Sequence, residues 1–376
     1  MRHRFCPGRA RWALAYIAGS LAVGAAAFGQ GSGPSVARLR SGDLYQAACA
    51  SCHGSDGRGR PVETVGFDVP IPDFTECSFA TPEADPDWSA VIRHGGPVRG
   101  FARNMPAFGG VLSNEQVQSV LDYIRTMCGD RRWPRGELNL PRALFTEKAF
   151  PENETVLTVG LSRDPSAIST ELVYERRIGA RGQCEVILPF ELHRDDGGPW
   201  RQGLGDIELA YKHAVAHSVA HGSILSAGLE IALPTGSEAR GFGSGHSAIA
   251  PFLAFGQILP GDGFLHVFGG AELPLPTRGN ESEATLRAAL GKTFVEANDG
   301  RAWSPIVEAL ATRELEGGAP IAWDAVPQMQ VSLNTRQHIL FNVGVRIPVT
   351  EKQGRKPTLA FYLLWDWFDG GFFDGW

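Results

Sequence analysis

From about Glu154 onward, apolar and polar residues alternate with a period of two, the pattern of a strand with one face buried. Along 183–192 one face collects Cys184, Val186, Leu188, Phe190 and Leu192 and the other Gln183, Glu185 and Glu191, with Ile187 the exception. The split recurs with Ile207, Leu209 and Tyr211 against Asp206, Glu208 and Lys212, and with Leu225, Leu229, Ile231 and Leu233 against Ser226, Gly228 and Glu230. Met329, Val331 and Leu333 oppose Gln328, Gln330 and Ser332, and Ile339, Phe341, Val343, Val345 and Ile347 oppose Asn342, Gly344 and Arg346. About twelve such segments are expected, near 154, 168, 183, 205, 223, 247, 263, 283, 304, 326, 338 and 358. Longer polar connections (193–204, 234–245, 276–282, 316–324, 350–357) alternate with tight ones at 177–182, 260–263 and 298–300. The pattern predicts an all-β antiparallel barrel of about twelve strands over 154–376, with long loops at one end and short turns at the other. Periodicity does not say which face is wet, so a soluble β-sandwich or barrel stays open as the alternative.

The N-terminal third has a different rhythm. Ser113-Asn114-Glu115-Gln116 has capping-box spacing, and Val117, Val120, Leu121 and Ile124 then form one apolar helical stripe. It should pack on a helix around Leu44 to Ala48. Residues 1–29 read as an export signal: Arg2, Arg4, Arg9 and Arg11, an apolar run from Trp12 to Phe28, and small residues before Gln30. An uncleaved anchor is the alternative, because the run is near the minimum spanning length. Residues 129–153 show no sustained period and are expected to be a linker with some ordered contacts, since Leu138, Leu140, Leu144 and Phe145 are too apolar for a free tether.

Composition narrows the classes. At 376 residues the chain is long enough for two units with separate cores, and a net charge of -6 leaves no basic footprint for nucleic acid. The 46 glycines and 10% aromatics favour turns and strands over long helices. Of the 6 cysteines, Cys6 falls in the leader and Cys184 stands alone. Cys77 and Cys128 flank the helical region, where an oxidising compartment would allow a disulfide; two separate buried thiols are the alternative.

The remaining cysteines belong to a chemical motif, Cys49-Ala-Ser-Cys52-His53. Two thiols on one helical turn can each add across a heme vinyl group, leaving His53 as the proximal iron ligand. A thioredoxin-like use of the pair would expect a βαβ context that the flanking sequence lacks. The sixth ligand is expected from Asn104-Met105-Pro106-Ala107-Phe108-Gly109, with Met105 offering a thioether held by a proline turn. His94 is the competitor and would give bis-histidine ligation. Thus Cys49, Cys52, His53 and Met105 are the candidate cofactor-binding residues for one covalent heme c, with His53 and Met105 on the metal. His213, His217 and His221 recur every four residues, which on a helix would align three imidazoles, but they fall where a strand runs into a turn.

Through these motifs, residues 40–128 resemble the class I cytochrome c family, from the heme motif through the Met-Pro-Ala-Phe loop to the last helix. The resemblance implies a mostly α, single-heme electron carrier. The stretch from Gly203 to Lys212, with Gly228 to Gly236, resembles an outer-membrane β-barrel family linked to phenol degradation and presumed to transport hydrophobic compounds. It implies charged faces inside and apolar faces toward lipid. Trp376 ends the chain in an aromatic, as barrel-assembly signals often do, although Asp374 breaks the alternation before it.

The combined expectation is a multidomain, exported protein: a periplasm-facing cytochrome c carrying out electron transfer, fused to an outer-membrane barrel. Its partners would be periplasmic redox proteins and outer-membrane lipid. An electron carrier is favoured over a catalyst, because no Ser/His/Asp triad, phosphate loop or metalloprotease motif is evident. Two rivals are a soluble periplasmic oxidoreductase with a substrate-binding β-domain, and a barrel transporter with a cytochrome docking module.

Overall fold

The computed structural model describes residues 40–163, 166–194, 198–276, 281–296, 300–315 and 317–367, so the expected export signal over 1–29 and the C-terminal aromatic lie outside the described residues. Among these, six short helices precede an antiparallel sheet that closes on itself.

The helices are α1 (Ser41–Ala48), α2 (Ala50–His53), α3 (Val62–Val65), α4 (Cys77–Ala80), α5 (Asp85–His94) and α6 (Asn114–Arg125). The capping box at α6 forms as expected: Ser113 Oγ accepts from Gln116 N at 3.3 Å, and Gln116 Oε1 accepts from Ser113 N at 2.8 Å. That cap aims Val117, Val120, Leu121 and Ile124 inward, and all are buried. α1 packs on α6 through Tyr45 and Tyr123, ring centroids 5.3 Å apart. Cys77 and Cys128 are joined, with Cα atoms 5.2 Å apart, so the end of the helical region is tied back to α4.

The strands are β1 (Glu154–Arg163), β2 (Ser166–Ile178), β3 (Gly182–Arg194), β4 (Arg201–Leu204), β5 (Ile207–Ser218), β6 (Ser223–Leu233), β7 (Ser247–Leu259), β8 (Gly263–Leu275), β9 (Glu283–Lys292), β10 (Phe294–Val295), β11 (Ala302–Glu314), β12 (Ala322–Ser332), β13 (Ile339–Pro348) and β14 (Thr358–Asp366). β4 pairs with β3 ahead of β5, and β10 pairs with β11 beyond β9, so each short piece extends its neighbour and the barrel has twelve staves. Closure runs through β1 and β14, with Glu154 opposite Asp366 and Leu161 opposite Leu359. The strand positions follow the twelve alternating segments of the sequence, since each apolar stripe needs a single covered or lipid-facing side.

Which side is covered is the decisive feature. Gln183 is fully buried, and Glu185, Gln330 and Asn342 are 7%, 4% and 0% exposed, while Leu188, Met329 and Val343 on the opposite faces are 38%, 39% and 37% exposed. The polar face is therefore the interior and the apolar face the exterior, the reverse of a barrel with a water-soluble surface. No described helix is long and apolar enough to cross a membrane.

The segment expected as a linker runs inside this barrel. Leu138, Ala149 and Phe150 pack against Ala214, Ile224 and Ala254, and Leu140 and Ala143 against Phe264, Ala289 and Ile306. Leu144 sits in a cluster with Val156, Val173 and Ile187, which accounts for the one apolar residue on the polar face of β3. At Gly344 a Cβ would stand 2.8 Å from Leu144 Cδ1, so the backbone there must stay bare to admit the segment. Beyond a 3-10 turn at Gly136–Leu138 the segment has no regular structure and takes its hydrogen bonds from the wall. Glu308 accepts from the backbone N–H of Leu144 (2.9 Å), Phe145 (3.1 Å) and Thr146 (2.8 Å). Gln183 accepts from Glu152 N at 2.6 Å, while Tyr362 Oη and Arg287 donate to the carbonyls of Arg142 and Phe145, both at 2.7 Å. Charges pair as well: Arg142 binds Glu154 at 2.6 Å and Glu175 at 2.7 Å, Lys212 binds Glu147 at 2.6 Å, and Lys148 contacts Glu152.

Breaking a buried ion pair on one side leaves an uncompensated charge, at a cost of roughly 3 to 5 kcal/mol. Arg142→Met should accordingly lower the urea midpoint of the heat-modifiable folded band in detergent. A midpoint equal to that of the unaltered protein would show that the guanidinium does not hold the inner segment.

Candidate functional site

The backbone around the heme motif is a helical turn. Cys49 O accepts from Cys52 N at 3.2 Å and from His53 N at 2.9 Å, which brings both thiols and the imidazole to one side of α1 and α2. Tyr45 Oη donates to Gly54 O at 2.8 Å and locks the turn to α1. The His53 ring stacks on Phe74 with centroids 4.7 Å apart. Burial pushes its pKa down to about 4, so the imidazole is neutral at neutral pH with a free lone pair. Burial, then the neighbouring Cys52, pushes the Cys49 thiol up to about 11. Both cysteines are unpaired thiols.

These residues wall a cavity of about 620 Å³, lined mainly by apolar and aromatic side chains including Phe67, Ile71, Phe74, Trp88 and Phe101. Met105 lies in the same wall and packs beside Ile92, Val117 and Leu121. Its loop is strung onto α5 and the turn after it. Gly96 N donates to Met105 O at 3.1 Å, Phe108 N to Ile92 O at 2.9 Å and Gly109 N to Arg93 O at 3.0 Å. His94, the competing ligand, is exposed at the end of α5 and does not line the cavity. The structure thus gathers Cys49, Cys52, His53 and Met105, more than 50 residues apart along the chain, into one pocket. A flat apolar ring with an iron centre suits this donor set: two thiols, a neutral imidazole whose buried Nδ1 has no hydrogen-bond partner among the described residues, and a thioether.

One flank of the cavity is charged, formed by Glu83, Asp87, Arg99, Arg336 and His338. Arg99 Nε binds Asp87 at 2.8 Å and His338 Nε2 meets Glu83 Oε1 at 2.7 Å. Burial, reinforced by Glu83, pushes Asp87 up to about 7 against the pull of Arg99. Arg336 and His338 belong to the β12–β13 turn, so the barrel contributes directly to the pocket. No sequence signal joins positions 99 and 336; only the docking of the two parts does. That docking continues along the chain: Arg125 and Arg135 both bind Asp85, at 2.9 and 2.7 Å. Gly136 N donates to Thr81 O at 2.7 Å, and a Cβ at Gly136 would collide with Pro82 O at 1.9 Å.

The histidine series does not assemble. His213 contacts Tyr211 Oη at 3.2 Å, His217 contacts Arg132 O at 3.2 Å and His221 contacts Ser218 Oγ at 2.9 Å, each with a separate partner. On an extended strand, positions four apart are spread along the chain rather than stacked on a helical face.

A cytochrome c-type domain is fused, in this chain, to a closed twelve-stranded barrel with an apolar exterior. Residues 37–124 match the family model for cytochrome c oxidase, cbb3-type, subunit III. The cbb3-type cytochrome c oxidase subunit FixP of Azorhizobium caulinodans is 31% identical over 98 residues, covering 25% of this chain and 31% of that protein. The chain therefore spans about a third of the length of this curated relative. Among solved structures, the outer membrane channel from Pseudomonas putida F1 shows 12% identity and a TM-score of 0.39, covering 60% of this chain and 99% of that one. The KdgM porin shows 9% identity and a TM-score of 0.37, covering 57% and 99%. The barrel's architecture rests on its own register and closure.

Heme-loaded, oxidised protein should show the weak near-infrared sulfur-to-iron band, lost in Met105→Ala and retained in His94→Ala. Absence of the band from the unaltered protein, with the native low-spin spectrum lost in His94→Ala rather than in Met105→Ala, would assign the sixth position to that histidine.

Proposed function

We propose that the chain is an exported, single-heme c-type cytochrome that passes electrons one at a time at the periplasmic side of the outer membrane, with its barrel as anchor. Cys49 and Cys52 would carry the covalent attachment, His53 and Met105 the axial positions, and the bound heme would supply a one-electron couple. The observation that carries this reading is the convergence of these four side chains in one apolar cavity at one end of an apolar-surfaced barrel. That end holds the tight turns after β2, β5 and β7 and both ends of the strand series, Glu154 and Asp366, and in outer-membrane barrels the short turns face the periplasm. Soluble periplasmic redox proteins are the expected partners, and outer-membrane lipid the expected surroundings.

Transport is the less supported role, because the interior that a solute would cross is occupied by Leu140, Ala143, Phe150 and the ion pairs of Arg142 and Lys212. A soluble oxidoreductase is likewise less supported, since its surface would have to present Leu188, Leu229, Leu253 and Val307 to water.

Topology is testable with single cysteines in a Cys184→Ser background. Arg240→Cys and Lys352→Cys, in exposed long connections, should react with a membrane-impermeant maleimide on intact cells, whereas His221→Cys and Arg301→Cys in the short turns should react only after permeabilisation. Labelling of all four alike, with recovery in the periplasmic extract, would remove the membrane reading. The lipid contact has its own test. Leu188 is already exposed, so arginine there is nearly neutral in water but costs roughly 2 to 4 kcal/mol at a bilayer midplane. Leu188→Arg should therefore destabilise the barrel folded in lipid vesicles; unchanged stability would place that face outside the bilayer.

A further inference from the structure

We propose that the barrel completes the heme site: Arg336 and His338, from the β12–β13 turn, form with Arg99 a charged flank that receives the carboxylate edge of the cofactor. This inference rests on the heme reading above and adds a second domain to it.

Apart from Ser51, Asn104 and the heme-motif residues, the cavity wall is apolar except along this flank, and its charged members form one connected patch. Arg99 is bound to Asp87 at 2.8 Å, and Glu83, four residues before Asp87, meets His338 at 2.7 Å. The Arg336 guanidinium lies over the Phe101 ring, 4.7 Å from its centroid and two residues beyond Arg99. The flank sets two guanidiniums, Arg99 and Arg336, beside the carboxylates of Asp87 and Glu83, so it is the strongly polar side of an otherwise mainly apolar cavity. A heme is amphipathic in the same sense as the cavity: an apolar ring with two carboxylates at one edge. Arginine suits such groups because its planar fork can bind a carboxylate through two parallel hydrogen bonds.

The turn that carries these residues is braced rather than loose. Asn334 Oδ1 accepts from His338 N at 3.0 Å and Ile339 N at 3.1 Å, and Leu333 N donates to Ile339 O at 2.7 Å. Asp366 N donates to His338 O at 2.8 Å, so the turn is also tied to the last strand. Cations held in this way beside the cofactor stabilise its carboxylates and favour the less positive, ferrous iron. The barrel then sets part of the redox potential, and the cytochrome is not an independent domain carried on an anchor.

The test is a spectroelectrochemical titration of the full chain in detergent, with heme content measured as the pyridine hemochrome. Arg336→Gln should raise the ferric-to-ferrous ratio at fixed ambient potential by about tenfold, equivalent to about 59 mV for one electron. Arg336→Lys, which keeps the charge, should recover most of the shift. Arg301→Gln, in a connection at the same end that does not line the cavity, should leave the potential in place. A potential insensitive to Arg336→Gln, or equally sensitive to Arg301→Gln, overturns the inference. Should Arg336→Gln fail to assemble, phenylglyoxal mapping of the unaltered chain decides: Arg336 should react more slowly with heme bound than in the heme-free Cys49→Ala/Cys52→Ala protein, and equal rates refute the contact. Absence of heme from the unaltered protein would instead sink the underlying reading.

Discussion

The polar inner wall of the barrel is the constraint on which the rest of the structure depends. Irregular backbone enclosed in a protein interior must have every N–H and C=O answered by the surrounding side chains, because no bulk water is there to pair with it. Here Glu308 answers three consecutive amides, and Gln183, Tyr362 and Arg287 answer further groups. The alternating glutamate, glutamine and asparagine positions thus serve the segment that fills the interior. The carboxylates of Glu147, Glu154 and Glu175 are matched in turn by Arg142 and Lys212, so wall and filling neutralise each other.

A consequence is the rigidity of the connection between the two parts. A free tether would let the helical domain sample many orientations, but residues 134–153 are packed into the barrel, and Arg135, Gly136 and Glu137 at their upstream end bind Asp85 and Thr81. The helical domain is held at the end of the short turns, where Arg336 and His338 reach the cavity. Electron transfer depends on where a redox centre is presented, and this arrangement presents it in one place.

Much of this was legible in the sequence. The period-two alternation placed the strands, because a sheet with two chemically different sides forces its residues to alternate. The Ser113 cap and its stripe placed α6, and the spacing of Cys49, Cys52 and His53 defined their chemistry, because each depends on neighbours within a turn of backbone. The pairing of Cys77 with Cys128 was legible as an open alternative, and the proline loop singled out Met105, which lines the cavity.

Three features were not legible. Periodicity left open which face of the strands is outside, since alternation is identical for a barrel in water and one in lipid; the burial of Gln183 and Asn342 decided it. The interior course of residues 134–153 was hidden, because their apolar side chains carry no period and fit only the particular hollow made by Ala214, Ala254, Ala289 and Gly344. The charged flank of the cavity was hidden as well, since Arg99 and Arg336 line one cavity only when a helical domain docks on a barrel turn more than two hundred residues away. Local sequence determined the elements and the motif chemistry through short-range backbone geometry, and tertiary structure alone decided inside from outside, filling from linker, and which distant charges share a pocket, because those are set by packing between segments that no local pattern connects.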